Sequence, residues 1–113
     1  MTTVHIGVTD RNDFKRRAKA AFRGEYQGEH IDFASLELMH KVLTPNRWQM
    51  LWALMGHGSM GIRELARVLD RDVKSVHTDA TALVNAGVID RTDGGAVSFP
   101  YDSIHVDFVV KAA

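Results

Sequence analysis

The stretch that decides the fold is residues 62–100, IRELARVLDRDVKSVHTDATALVNAGVIDRTDGGAVSFP. Apolar side chains recur at the spacing of one helix face, which predicts two helices separated only by residues 70–72. Gly87 stands where helices commonly end, and the turn residues 92–95 separate two short strand-like segments, which predicts a hairpin. The apolar positions are Ile62, Leu65, Ala66 and Leu69 in the first helix and Val73, Val76, Ala80, Leu83 and Val84 in the second.

Two short helices joined by such a turn, with a third helix before them and a hairpin after, are typical of a winged helix-turn-helix. The third helix is predicted from Thr44-Pro45, where a capping residue precedes a proline at the first helical position. The predicted fold class is therefore α+β. The stripe of this third helix that we expect to be buried is Trp48, Leu51, Trp52 and Met55.

The two ends of the chain carry further short strands. An apolar side chain at every second residue predicts one strand over residues 4–8 and another around Ile31 and Phe33, with a helix capped by Asp10 between them. We therefore divide the chain into a strand-helix-strand extension (1–34) and a winged helix-turn-helix domain (35–113), whose first helix Ser35 caps. An edge-type strand with alternating Ile104, Val106 and Phe108 ends the chain.

The outward face of the second helix of the pair is the candidate reading surface. A B-form major groove accepts one α-helix, and polar side chains on that face are suited to hydrogen bonds with base edges. Arginines on or just after the preceding helix are placed for phosphate contacts, and an arginine at the base of the hairpin can reach the backbone or the minor groove. The predicted DNA-binding residues are Arg63, Arg67, Arg71, Lys74, Ser75, His77, Thr78, Thr81 and Arg91.

Composition argues against several other classes of protein. Fourteen Lys and Arg balance fourteen Asp and Glu, so any affinity for DNA must come from local charge. The chain has no cysteine, its histidines lack metal-ligand spacing, and we expect neither an enzyme nor a cofactor or metal. The G-x-G-x-x-G of residues 56–61 follows a helix, so these are expected to be loop glycines. Without a membrane-length apolar run or a signal peptide, the prediction is a cytoplasmic protein.

Residues 62–100 resemble the winged helix-turn-helix of MarR-like prokaryotic transcription regulators. The flanking runs LTPNRWQMLWAL (43–54) and PYDSIHVDF (100–108) narrow the resemblance to a small prokaryotic family of DNA-binding proteins, over residues 31–108. Its members often lie beside a toxin-like gene, so the resemblance implies an antitoxin or autorepressor role. The chain departs from full-length MarR proteins in its single wing arginine, in Gly61 at a position usually held by serine, and in lacking the long dimerisation helix.

The predicted function is sequence-specific binding of double-stranded DNA, with repression of the chain's own operon. One reading helix contacts only a few base pairs, so we expect a homodimer that binds two half-sites. The extension and the terminal strand are the candidate surfaces for the second subunit or for a toxin. The alternatives are an antitoxin that acts mainly on a partner toxin, a winged helix that binds only protein, and a ligand-responsive regulator.

Overall fold

The computed structural model describes residues 2–9, 15, 16, 19 and 29–112, and these form an α+β protein. The helix predicted after Asp10 lies largely outside the described residues; Lys15, Arg16 and Lys19 are helical and exposed. No helix in the described ranges is long and apolar enough to cross a membrane. The elements are β1 (Thr3–Val8), β2 (Glu29–Phe33), α1 (Leu36–Val42), α2 (Pro45–Leu54), β3 (Ser59–Met60), α3 (Ile62–Leu69), α4 (Val73–Asn85), β4 (Asp90–Arg91), β5 (Val97–Ser98) and β6 (Ser103–Asp107).

The two ends of the chain meet in one parallel sheet with the strand order β2-β1-β6. Val4 pairs with Glu29 on one side and with Ile104 on the other, so β1 is the central strand. The predicted terminal strand is confirmed and lies at an edge. It pairs with β1 of the predicted extension. The extension and the terminal strand, each a candidate surface for a second subunit or a toxin, are therefore parts of one sheet.

A second, antiparallel sheet has the strand order β3-β5-β4. The predicted hairpin is confirmed as β4, a 3₁₀ turn over Asp93–Gly95 and β5. β3 was not expected, because Ser59 and Met60 lie within the glycine-rich segment predicted to be a loop. Met60 pairs with Val97 and is buried, so this segment is attached to the sheet.

The helices begin where the capping residues predict. The side chain of Ser35 accepts a hydrogen bond from the Leu38 N–H, and Thr44 does the same for Arg47 at the start of α2. α4 ends at Asn85, two residues before Gly87, whose φ of 78° is in the left-handed region that glycine tolerates.

One hydrophobic core joins the parallel sheet to the helices, but two predicted core positions are wrong. Trp52 is 76% exposed, because α2 carries apolar residues on several sides and its core face is formed by Met50, Leu51 and Leu54. Val73 is 41% exposed at the first position of α4. The buried core is Val4, Ile6, Phe33, Met39, Leu43, Met50, Leu51, Leu54, Met60, Leu65, Ala66, Val76, Ala80, Leu83, Val88, Ile89, Val97 and Phe99.

Gly61 gives α3 an N-cap without a side chain, and replacing it should stabilise the protein. Its φ of −70° is compatible with any residue, and no atom lies within 4 Å of an added Cβ. We expect Gly61→Ser to raise the free energy of unfolding by a few tenths of a kcal/mol, since serine would accept from the helix N–H groups and complete a capping box with Glu64. Urea denaturation measures the change, and Gly61→Ala should lack the gain.

Candidate nucleic-acid interface

A tight turn fixes α4 against α3. Asp70 has a left-handed conformation with a φ of 54°, and its N–H donates to the Arg67 carbonyl at 3.2 Å. The Arg71 N–H donates to the Ala66 carbonyl at 3.0 Å, which closes the end of α3. Asp72 then caps α4 by accepting from the Ser75 N–H at 2.9 Å. The turn therefore sets the direction of α4 through backbone hydrogen bonds and one capping carboxylate.

The side chains of α4 divide into a buried face and an exposed face. Val76, Ala80 and Leu83 are completely buried, which anchors one side of the helix in the core. The predicted reading residues lie on the other side: four of them are at the i, i+3, i+4 and i+7 positions counted from Lys74, and Ser75 is next to Lys74. Of these, Lys74, His77 and Thr78 are exposed, whereas Ser75 and Thr81 are half-buried.

Two of the three hydroxyl groups among these residues donate within the protein, and the third accepts. Ser75 Oγ donates to Asp72 Oδ1 at 2.9 Å, and Thr78 Oγ1 donates to the Lys74 carbonyl at 3.0 Å. Thr81 Oγ1 lies 3.5 Å from Nη2 of Arg91, which places the hairpin arginine beside α4. The hydroxyl oxygens keep lone pairs that can accept from a base edge. Among the exposed residues of the face, donor capacity therefore rests on Lys74 and His77.

A carboxylate between two arginines ties the helices together. Asp79 Oδ1 accepts from Arg47 Nε at 3.1 Å, and its Oδ2 accepts from Arg71 Nη2 at 2.7 Å. Burial alone would raise the pKa of Asp79, but the hydrogen bonds from Arg71 and Arg47 outweigh it and hold the pKa below its ordinary value. Arg71, predicted as a phosphate contact, therefore has a structural partner; its side chain is 21% exposed.

Two acids near the reading face, whose negative charge would oppose contact with DNA, have structural roles. Asp79 is neutralised by its arginines, and Asp72 is the cap of α4. The pKa of Asp72 is lowered, first by the hydrogen bond from the Ser75 N–H and then by the one from its hydroxyl. Asp70 and Asp72 are both exposed in the turn, and Asp70 is the one that does not cap α4.

Two shallow grooves border the exposed face of α4. The first runs between α3 and the start of α4 and contains Arg63 and Arg67, both exposed, with Asp70 and Val73. The second contains Lys74, Ser75 and Thr78 together with Asn46 of α2. Sequence reasoning missed Asn46, because only the packing of α2 across α4 brings its amide to the reading residues.

Sequence reasoning also missed a row of histidines on the parallel sheet. His30, His5 and His105 lie side by side on β2, β1 and β6, with ring centroids 5.2 and 5.1 Å apart. Each histidine occupies an alternating position in a predicted strand. Their alignment, however, depends on the pairing register between the strands, which local sequence patterns do not determine. Within the described ranges, no three histidine or acidic side chains are arranged to hold a metal ion.

One known protein family matches the part of the chain that contains the candidate interface. A sequence profile of the HVO_A0114 family matches residues 42–106, more than half of the chain, from the end of α1 into β6. A search of curated proteins finds no match.

Removing the charge of Asp79 should destabilise the protein in a pH-dependent way. We expect Asp79→Asn to lower the free energy of unfolding at pH 7 by about 1.5–3 kcal/mol, the usual range for hydrogen bonds to charged groups. Because the folded-state pKa of Asp79 lies below its ordinary 3.8, this contribution is present above pH 3.8 and is lost as the pH falls through the folded-state value.

Urea denaturation of both proteins across acidic pH measures this difference. Asp93→Asn, in the exposed hairpin turn, is the matched control and should change stability little. An equal loss for both variants, or a loss at Asp79 that stays constant below the folded-state pKa, would contradict the structural role of this carboxylate.

Proposed function

The chain belongs to the HVO_A0114 family, and we propose that it is a sequence-specific DNA-binding regulator of transcription built on a winged helix-turn-helix. The observation that carries the proposal is the division of α4 into a buried apolar face and an exposed face with Lys74, His77 and Thr78. A helix held through one side and polar on the other has the form required to enter a major groove.

The arrangement around α4 supports the winged-helix part of the proposal. α2, α3 and α4 contact one another pairwise, and β3 lies between α2 and α3 in the chain. β3 pairs with the hairpin strand β5 in an antiparallel sheet. The order helix, strand, helix, helix, hairpin matches a winged helix-turn-helix, in which the hairpin is the wing.

Each cation on this surface has a distinct proposed role. Lys74 and His77 contact base edges, because they are the donor-bearing side chains on the exposed face of α4. Arg63 and Arg67 contact phosphates on one flank, and Arg91 does so from the wing. Asp79 does not oppose these contacts electrostatically, since Arg47 and Arg71 compensate its charge.

Repression of the chain's own operon follows from this activity if the operator overlaps its promoter. One α4 contacts only a few base pairs, so the proposed regulator is a homodimer on two half-sites. The alternative of an antitoxin, in which binding to a partner toxin is the main activity, stays a prediction.

Fluorescence anisotropy with the DNA upstream of the chain's own gene tests the proposal directly. We expect tighter binding to this duplex than to a scrambled duplex, and an affinity for both that falls as salt increases, because bound phosphates release counterions. Equal affinity for the two duplexes at every salt concentration would contradict sequence-specific regulation.

Alanine variants should separate base contacts from phosphate contacts. Lys74→Ala and His77→Ala should each cost about 1–3 kcal/mol on the upstream duplex and reduce the preference over the scrambled one. Arg67→Ala should weaken binding to both duplexes and make the salt dependence less steep. Lys41→Ala, an exposed cation on α1, is the control. Parent-like binding by all three interface variants would contradict the assignment of α4 as the reading helix.

A further inference from the structure

β6 has one paired edge and one open edge. Among the residues that the structure describes, the strand order is β2-β1-β6, and β1 is the one strand that pairs with β6. The carbonyl of Asp107 points towards β1, since a Cβ added at Gly7 would lie 2.6 Å from that oxygen. Backbone groups of alternate residues point to opposite edges of a strand, so Ile104 and Val106 direct their N–H and C=O groups to the open edge.

The open edge is apolar. Val106 and Phe108 are 43% and 40% exposed, and Val109 and Val110, which follow the strand, are 77% and 73% exposed. An exposed edge strand normally carries charges that discourage pairing with another chain. This one carries a run of apolar side chains and therefore favours such pairing.

The sequence of this edge is complementary to itself. In an antiparallel pair centred on Val106, this residue lies opposite the partner's Val106, and Ile104 lies opposite the partner's Phe108. His105 then lies opposite the partner's Asp107, and the same pair recurs across the two-fold axis. Because Val106 would be in a hydrogen-bonded pair, the His–Asp pairs fall at the intervening positions, where opposing side chains come closest.

We propose that two copies of this chain pair through β6, in this register, to form a dimer with a continuous six-stranded sheet. The partner is a second copy because both the charges and the apolar side chains of the segment complement themselves. A two-fold axis through Val106 also gives the closed, isologous interface that is commonest among oligomers.

An apolar groove continues the proposed interface. Ile104 lines it together with Trp48, Trp52 and Met55 of α2 and its C-cap. The partner's Phe108, opposite Ile104, would lie beside this groove and cover part of its apolar surface. This gives a place in the interface to Trp52, which is 76% exposed in the single chain.

The other sheet edge is a weaker candidate. β2 also has a His-x-Asp sequence, in His30 and Asp32, so its charges could pair in the same way. Its apolar residues face inward, however: Phe33 is 5% exposed and Ile31 is half-buried. Pairing through β2 would therefore cover little apolar surface, and it would place Glu29 opposite the partner's Phe33.

This inference rests on the proposed function, because a regulator that binds two half-sites with two reading helices requires two chains. The test contains no DNA, so the dimer and the DNA binding can fail separately. Sedimentation velocity of the full chain over a concentration series should show a dimer. A chain that remains monomeric at 100-fold above the concentration used for DNA binding would overturn the proposal.

A charge exchange tests the register. His105→Asp places two carboxylates opposite each other at both His–Asp positions, and we expect it to raise the dimer dissociation constant about 10-fold or more. The double variant His105→Asp with Asp107→His restores opposite charges and should recover most of the lost affinity. A dimer unaffected by His105→Asp, or no recovery in the double variant, would place the interface elsewhere and overturn the proposal.

A change at the two-fold axis is the second, independent test. Val106→Lys brings two ammonium groups together at the centre of the interface and should abolish the dimer, while circular dichroism shows that the monomer is folded. Val68→Lys, on an α3 valine that is 58% exposed, is the matched control and should leave the dimer intact. Dimerisation by folded Val106→Lys would overturn the proposal.

Discussion

The ion pairs of Asp79 with Arg47 and Arg71 are the interaction on which the geometry of the candidate interface depends. They join α2, the turn after α3 and the middle of α4 at a single half-buried carboxylate. Arg47 also donates to the Val42 carbonyl at the end of α1, which extends the network to a fourth element. Hydrophobic packing holds α4 against the core but is not directional. The carboxylate supplies direction, because each of its oxygens accepts from a different arginine.

The same pairs shape the electrostatics of a chain without net charge. A neutral protein has no overall attraction for DNA, so affinity depends on where its charges lie. Arg47 and Arg71 neutralise Asp79 of α4, which leaves Arg63, Arg67, Lys74 and Arg91 at the surface around α4. The ion pairs within the fold thus determine which cationic side chains around α4 remain available to a ligand.

Local sequence signals predicted local structure well and long-range structure poorly. The caps at Ser35 and Thr44 were predicted because each depends on contacts within three residues. The short strand β3 was not predicted, because two residues are too few to show an alternating pattern. The strand is defined by its pairing with β5. Trp52 was placed in the core because α2 offers two competing apolar stripes, and only the position of its neighbours decides between them.

Both proposals also depend on the parallel sheet being part of the same core as α4. Val4 and Ile6 of β1 are buried in one cluster with Val76 and Leu83 of α4, so sheet and helix are packed as one unit. In a dimer paired through β6, the separation of the two α4 helices would follow from strand register instead of a flexible linker. Because β1 holds β6 in its own sheet, a slip of one residue in that register would turn the partner's sheet over relative to this one. The His–Asp and Ile–Phe pairs would both be lost, so the register that forms the interface is also the one that sets the spacing of the two reading helices.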